Sequence, residues 1–97
     1  MNSYDIGDQV RITVEIADAD GRAVDPTVLT CSYRDPAGVV TELTYGEDEA
    51  VGRLEQGSYY VDLVANRSGI WPYRWECSGT VTAATEGRFT VRRSEFA

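Results

Sequence analysis

A hydrophobic period of two is the feature that most constrains the fold of this chain. From Val10 to Ile16 every second side chain is apolar, and the side chains between them are polar. This alternation is typical of a half-buried β-strand, because successive side chains of a strand point to opposite faces. No stretch of ten or more residues shows the 3.6-residue apolar stripe of a helix. The sequence therefore predicts an all-β protein.

Turn signals separate the alternating segments at intervals of ~8–12 residues, a spacing typical of β-sandwiches and barrels. The predicted strands cover residues 10–16, 29–33, 39–45, 51–54, 58–65, 70–77, 81–84 and 88–92. Seven or eight short strands in 97 residues favour an immunoglobulin-like antiparallel β-sandwich, with a small barrel as the alternative. We expect one domain over residues 1–97, with short ends at 1–6 and 93–97 that are mobile unless they dock.

Five apolar residues are expected to specify the fold from inside the sandwich: Leu29, Tyr59, Trp71, Trp75 and Phe89. Trp71, Tyr73 and Trp75 alternate along one predicted strand, and each ring can bury ~150–250 Å². The alternative is an exposed aromatic platform for stacking on sugars, which would need the same rings at the surface. Pro72 interrupts this strand, and because it has no N–H it is expected at the strand's start, at a bulge or on an edge.

The two cysteines fall on predicted strands with the parity of core residues. Cys31 and Cys77 are expected on opposite sheets of an immunoglobulin-type sandwich. A disulfide between them would close a loop of ~45 residues and contribute about 3–4 kcal/mol. Two buried free thiols are the alternative, and the lack of a recognisable export signal favours them.

Composition excludes several classes of function. The chain has no histidine, so neither a Ser-His-Asp nor a Cys-His relay can be built, and two cysteines alone cannot complete a zinc site. Sixteen acidic against nine basic side chains give a net charge of −7, which repels nucleic acid. No apolar run reaches the ~18 residues of a membrane span. We expect no enzymatic activity, no cofactor, no metal and neither a nucleic-acid nor a membrane partner.

The acidic side chains are concentrated in the first half of the chain, whereas acids and arginines nearly balance in the second half. If the fold separates the two halves, the surface is polarised in charge and can orient the protein on a partner. The acidic segment Asp18–Asp25 has oxygen ligands of the kind calcium prefers, but it lacks the spacing of a calcium-binding loop. An Asp-Gly turn accounts for it without metal.

Two glycine-led segments carry a resemblance to a known group of proteins. Residues 57–63 have the form Gly-x-Tyr-x-x-Asp-Leu, residues 69–75 have the form Gly-x-Trp-x-Tyr-Arg-Trp, and Gly-Arg-Phe-Thr-Val follows at 87–91. Together with the opening segment 4–11 and the segment 24–27, they resemble a group of small, immunoglobulin-like proteins of tailed bacteriophages. These proteins are encoded among head and tail structural genes, and the resemblance spans nearly the whole chain.

The resemblance implies a structural role on a phage particle. Its most concrete form is a capsid decoration protein, made in the host cytoplasm and located in the virion, that binds the major capsid protein or another virion protein. A head–tail or tail-associated component and a carbohydrate- or cell-surface-binding module are the alternatives, and a homo-oligomer is left open. On this interpretation Tyr4 and Phe96 are candidate docking arms, and Tyr59 is a candidate tyrosine corner whose hydroxyl caps nearby backbone.

Overall fold

The computed structural model describes residues 2–94, which form eight β-strands and no helix. The strands are β1 (Asn2–Asp5), β2 (Gln9–Glu15), β3 (Val28–Arg34), β4 (Val40–Thr44), β5 (Val51–Glu55), β6 (Ser58–Val64), β7 (Gly69–Ser78) and β8 (Ala83–Arg92). The prediction of an all-β protein is confirmed.

The strands form two sheets with an immunoglobulin-like topology. A five-stranded sheet has the order β1-β8-β7-β3-β4, and a three-stranded sheet has the order β2-β6-β5. Neighbouring strands are antiparallel except β1 and β8, which run parallel. The division of β2-β6-β5 from β8-β7-β3 is that of the two immunoglobulin sheets, and β4 extends the second sheet beside β3. The predicted β-sandwich is therefore the observed architecture.

The core lies between the two sheets and is built from alternate residues of their strands. All five predicted core residues, Leu29, Tyr59, Trp71, Trp75 and Phe89, are buried. The rings of Trp71 and Phe89 stack with centroids 5.7 Å apart, which is a favourable aromatic distance. Because both tryptophans are only 2% exposed, the interpretation as a tryptophan platform for sugars is wrong.

The strand boundaries differ from the prediction at both ends of the chain. The first strand, β1, was not predicted because it has only four residues and most of them are polar. The predicted strands 81–84 and 88–92 belong to one continuous strand, β8, which begins at Ala83 and runs through residues 85–87, where the prediction has a break. Gly87 lies opposite Tyr73, and a methyl group on Gly87 would lie 2.5 Å from the Tyr73 hydroxyl oxygen. Gly87 thus makes room for a tyrosine ring within the sheet and does not begin a turn.

Both cysteines are free and buried, but the expected placement on opposite sheets is wrong. Cys31 is on β3 and Cys77 is on β7, which are neighbours in the same sheet. The prediction counted the strand with Cys31 as the second of the sandwich. Because β1 precedes the predicted first strand, it is in fact the third, and the third strand lies in the same sheet as β7. Cys31 lies opposite Trp75, so Cys77 is its diagonal neighbour. Such positions are ~7–8 Å apart, whereas disulfide Cα atoms are ~4.4–6.8 Å apart.

Pro72 lies near the start of β7, where that strand has a partner on one side. It is opposite Arg88 of β8, and the pairing of β7 with β3 begins only at Tyr73. The absence of an N–H at Pro72 is therefore tolerated, as the prediction of a strand start or edge requires.

Candidate docking surface

The most extensive polar cluster of the described residues is centred on Asp25, in the connection between β2 and β3. Its carboxylate accepts hydrogen bonds from the Tyr59 hydroxyl at 2.8 Å and from the Gly57 backbone N–H at 2.9 Å. Arg53 donates from Nη2 at 2.9 Å and from Nε at 3.3 Å. Asp25 thereby joins its connection to β5, to β6 and to the turn between them.

The same contacts change the pKa values of the cluster. The Arg53, Gly57 and Tyr59 donors lower the pKa of Asp25 to about 2, because each stabilises the ionised carboxylate. Burial and the Asp25 carboxylate raise the pKa of Tyr59 to about 12. The Tyr59 hydroxyl, the Gly57 N–H and two nitrogens of Arg53 all donate to Asp25, so this cluster stabilises the fold. The tyrosine-corner prediction is wrong in its partner, because the Tyr59 hydroxyl donates to a side chain and not to backbone.

The acidic segment that follows β2 is a turn held by its own carboxylate. Asp18 Oδ1 accepts the backbone N–H groups of Asp20 and Arg22 at 2.9 and 3.0 Å, and the Gly21 N–H donates to the Asp18 carbonyl. These bonds are the Asp-Gly turn chemistry that the sequence indicates. Within residues 2–94, no group of three or more Cys, Asp or Glu side chains is placed to hold a metal ion.

The N-terminal residues belong to the sandwich, so the prediction of a free N-terminal docking arm has to be corrected. Tyr4 pairs with Val91 across β1 and β8, and its ring packs edge-on against Phe89 with centroids 5.5 Å apart. A strand partner and a core contact hold Tyr4, so it is not available as a docking arm unless β1 detaches. The second predicted arm, Phe96, lies outside the described residues.

The outer face of the five-stranded sheet carries a patch of apolar and arginine side chains. Val40 lies opposite Arg34, and Pro72 lies opposite Arg88. Along their strands, all four residues alternate with inward-facing ones, so their side chains point outward. Ile70, at the start of β7, faces outward for the same reason. Val40 is 62% exposed and Ile70 is 50% exposed. We call these five residues, Arg34, Val40, Ile70, Pro72 and Arg88, the docking face.

The two arginines of the docking face are distinguished by their lack of acidic partners. Among residues 2–94, neither Arg34 nor Arg88 forms an ion pair, whereas Arg74 on the same face pairs with Glu76 and Glu86. A protein with a net charge of −7 thus has two arginines without ion pairs beside exposed apolar side chains. Arginine is enriched at protein–protein interfaces and among the residues that contribute most to binding, so these two arginines make the face a candidate binding surface.

Comparison with known proteins identifies no relative of this chain. No family model, no curated protein and no solved structure matches it. Residues 2–94 contain no helix that is long and apolar enough to cross a membrane.

Sequence reasoning missed both the Asp25 cluster and the docking face. Asp25 and Tyr59 are 34 residues apart, and no local pattern predicts their contact. The parity of Arg34 and Val40 was a usable signal, because both alternate with expected core positions. Their proximity to Pro72 and Arg88 depends on the order β8-β7-β3-β4, which only the structure supplies.

Proposed function

We propose that this chain is a non-enzymatic structural protein of a tailed-phage particle, a capsid decoration protein that binds the major capsid protein through the docking face. The observation that carries the proposal is the combination of exposed Val40 and Ile70 with Arg34 and Arg88, which have no ion pairs within residues 2–94, on the outer face of one sheet. The phage assignment itself comes from the resemblance of the sequence segments described above.

The docking face has the rigidity that a particle-binding surface needs. Its residues lie on or next to the paired strands β3, β4, β7 and β8, so their backbone is already ordered before binding. Preordered side chains lose less conformational entropy on association than those of mobile loops. The complementary partner surface is apolar with acidic side chains, because each unpaired arginine can bind a carboxylate through two parallel hydrogen bonds.

The segments that carry the resemblance lie in the interior and the turns of the sandwich. Tyr59 and Trp71 are buried, and Gly57 and Gly69 have positive φ angles of 76° and 132° at the starts of their strands. These residues therefore maintain the fold, which leaves binding to the outward-facing side chains. This separation of buried, fold-maintaining residues from outward-facing side chains is consistent with a protein that binds its partner through one surface of the sandwich.

The first experiment is quantitative mass spectrometry of particles purified from the source. A copy number comparable to that of the major capsid protein supports shell decoration. A few copies per particle would instead indicate a neck or tail component, and absence from the particle would overturn the virion assignment in favour of a surface-binding module.

The second experiment tests the docking face itself. The double variant Arg34→Glu/Arg88→Glu should lose particle binding at least tenfold, because it places like charges against an acidic partner. Arg22→Glu is the charge-matched control for each single variant, Arg34→Glu and Arg88→Glu, since Arg22 is exposed in the connection between β2 and β3 and forms no ion pair within the described part of the chain. Equal binding by the folded double variant and the control would exclude the docking face.

A further inference from the structure

The free edge of β2 differs from the other sheet edges. β2 is seven residues long, contains no proline and, among residues 2–94, pairs on one side only, with β6 and without a register shift. By contrast, β5 has a register shift between Arg53 and Glu55, while β1 and β4 have four and five residues. Long, regular edges are templates for further strand pairing, and bulges or short strands normally protect against it.

The sequence of β2 and its flank is symmetric about Thr13. Val10 corresponds to Ile16, Ile12 corresponds to Val14, and Arg11 corresponds to Glu15. Two such strands paired antiparallel with Thr13 on the axis would place apolar side chains opposite apolar ones. Each Arg11 would face Glu15 of the second copy, so the edge is complementary to itself in both charge and hydrophobicity.

The charged residues of this edge are arranged for such a pairing. Arg11 is held in place by Asp62, which accepts from Nε at 2.8 Å and from Nη2 at 2.9 Å. Its guanidinium carbon lies 4.0 Å from the centroid of the Tyr60 ring, and that ring lies over Gly52. These bonds leave Nη1 to pair with another carboxylate. Glu15 has no ion pair within residues 2–94, so its carboxylate is available.

An apolar cleft lies directly beside this edge, between the two sheets. It has a volume of about 150 Å³ and is lined by residues that include Val14, Ile16, Trp75 and Ala83. The cleft is open because β1 covers β8 only from Phe89 onward. Trp75 is buried, and its indole N–H has no acceptor in the described structure. A strand added to β2 would extend the sheet across the mouth of this cleft.

We propose that β2 pairs with β2 of a second copy of this chain, antiparallel about Thr13, to form a dimer with one continuous six-stranded sheet. A two-fold axis through Thr13 generates both Arg11–Glu15 pairs at once, which makes the contact closed and limits it to two copies. The docking face lies on the other sheet and stays exposed on both copies.

Light scattering of the full-length chain across a concentration series tests the proposal. The chain should have a dimeric mass at high concentration, twice its 10.7 kDa. Glu15→Arg should weaken self-association about tenfold or more, because two attractive cross-strand pairs become repulsive. Glu47→Arg makes the same charge change in the exposed loop between β4 and β5 and should leave the dimer intact.

Cysteine cross-linking tests the register. Opposite residues of an antiparallel pair have Cα atoms ~4.5–5.5 Å apart, within disulfide range, so Thr13→Cys should form a disulfide-linked dimer under mild oxidation. Gln9→Cys is the control, since the proposed register separates its two copies by roughly 27 Å. A monomer at every concentration would overturn the proposal. So would a dimer that tolerates Glu15→Arg and is not cross-linked through Thr13→Cys.

Discussion

The Tyr59 hydroxyl donates a hydrogen bond of 2.8 Å to the carboxylate of Asp25, which lies 34 residues earlier in the chain. Through this bond and the Arg53 and Gly57 contacts, Asp25 fastens the connection between the two sheets to the three-stranded sheet. The contact joins a core aromatic residue to a carboxyl group whose pKa is lowered to about 2. The free energy of unfolding should therefore depend on pH in acid.

The Asp25 cluster should stabilise the fold above the ordinary carboxyl pKa and lose its effect in acid. Its folded-state pKa of about 2 lies below the ordinary value of 3.8, so protonation at low pH favours the unfolded chain. Asp25→Asn should therefore lower the free energy of unfolding near neutral pH, and the difference from the natural chain should shrink as pH falls from 3.8 to about 2. Urea unfolding at several pH values measures it, and a difference that is constant across this range would contradict the assignment.

Gly57 should tolerate no side chain, whereas Gly38 should tolerate one at a small cost. Both have positive φ, but a methyl group on Gly57 would lie 2.6 Å from the Ile16 carbonyl oxygen, and Gly38 has open space around it. We expect Gly38→Ala to cost about 1 kcal/mol and Gly57→Ala about 3 kcal/mol or more. Denaturant unfolding of the two variants compares the costs directly. Equal costs would show that backbone conformation alone governs both sites.

Both thiols should stay reduced and unreactive while the protein is folded. Cys31 is fully buried, and burial raises the pKa of its thiol to about 12, so almost no nucleophilic thiolate forms near neutral pH. A thiol reagent should label Cys31 and Cys77 only after denaturation. Intact-mass measurement after mild oxidation supplies a second check, since a native protein lighter by two hydrogens would indicate a disulfide and contradict the strand register.

Tyr4 should contribute to stability through β1. Its ring is half-buried against Phe89, so Tyr4→Ala should cost about 1–2 kcal/mol, less than the cost of truncating a fully buried aromatic residue. Ser3→Ala, on the exposed side of the same strand, should change the free energy of unfolding by no more than about 0.5 kcal/mol. Thermal and urea unfolding give the comparison. Indistinguishable stabilities for the two variants would mean that β1 is detached in solution.

Features of this fold that depend on neighbouring residues in the sequence could be predicted, whereas features that depend on contacts between distant segments could not. Alternation placed Leu29, Trp75 and Phe89 in the core correctly, because the period of a strand is a local property. The continuity of β8 escaped prediction, because whether Gly87 breaks a strand depends on the Tyr73 ring from the neighbouring strand. The contact of Asp25 with Tyr59 depends on packing between distant segments and has no local sequence signal.

The parallel pairing of β1 with β8 decides where an engineered fusion can be attached. Asn2 lies beside Phe89, so residues added before it would emerge halfway along β8 and could continue along the uncovered stretch from Ala83 to Arg88. A peptide fused there would lie beside the cleft next to β2 and would interfere with the proposed pairing of β2 with a second copy. Cargo, labels or affinity tags should therefore be kept away from the N-terminal end of β1, because a peptide there is directed along the uncovered stretch of β8.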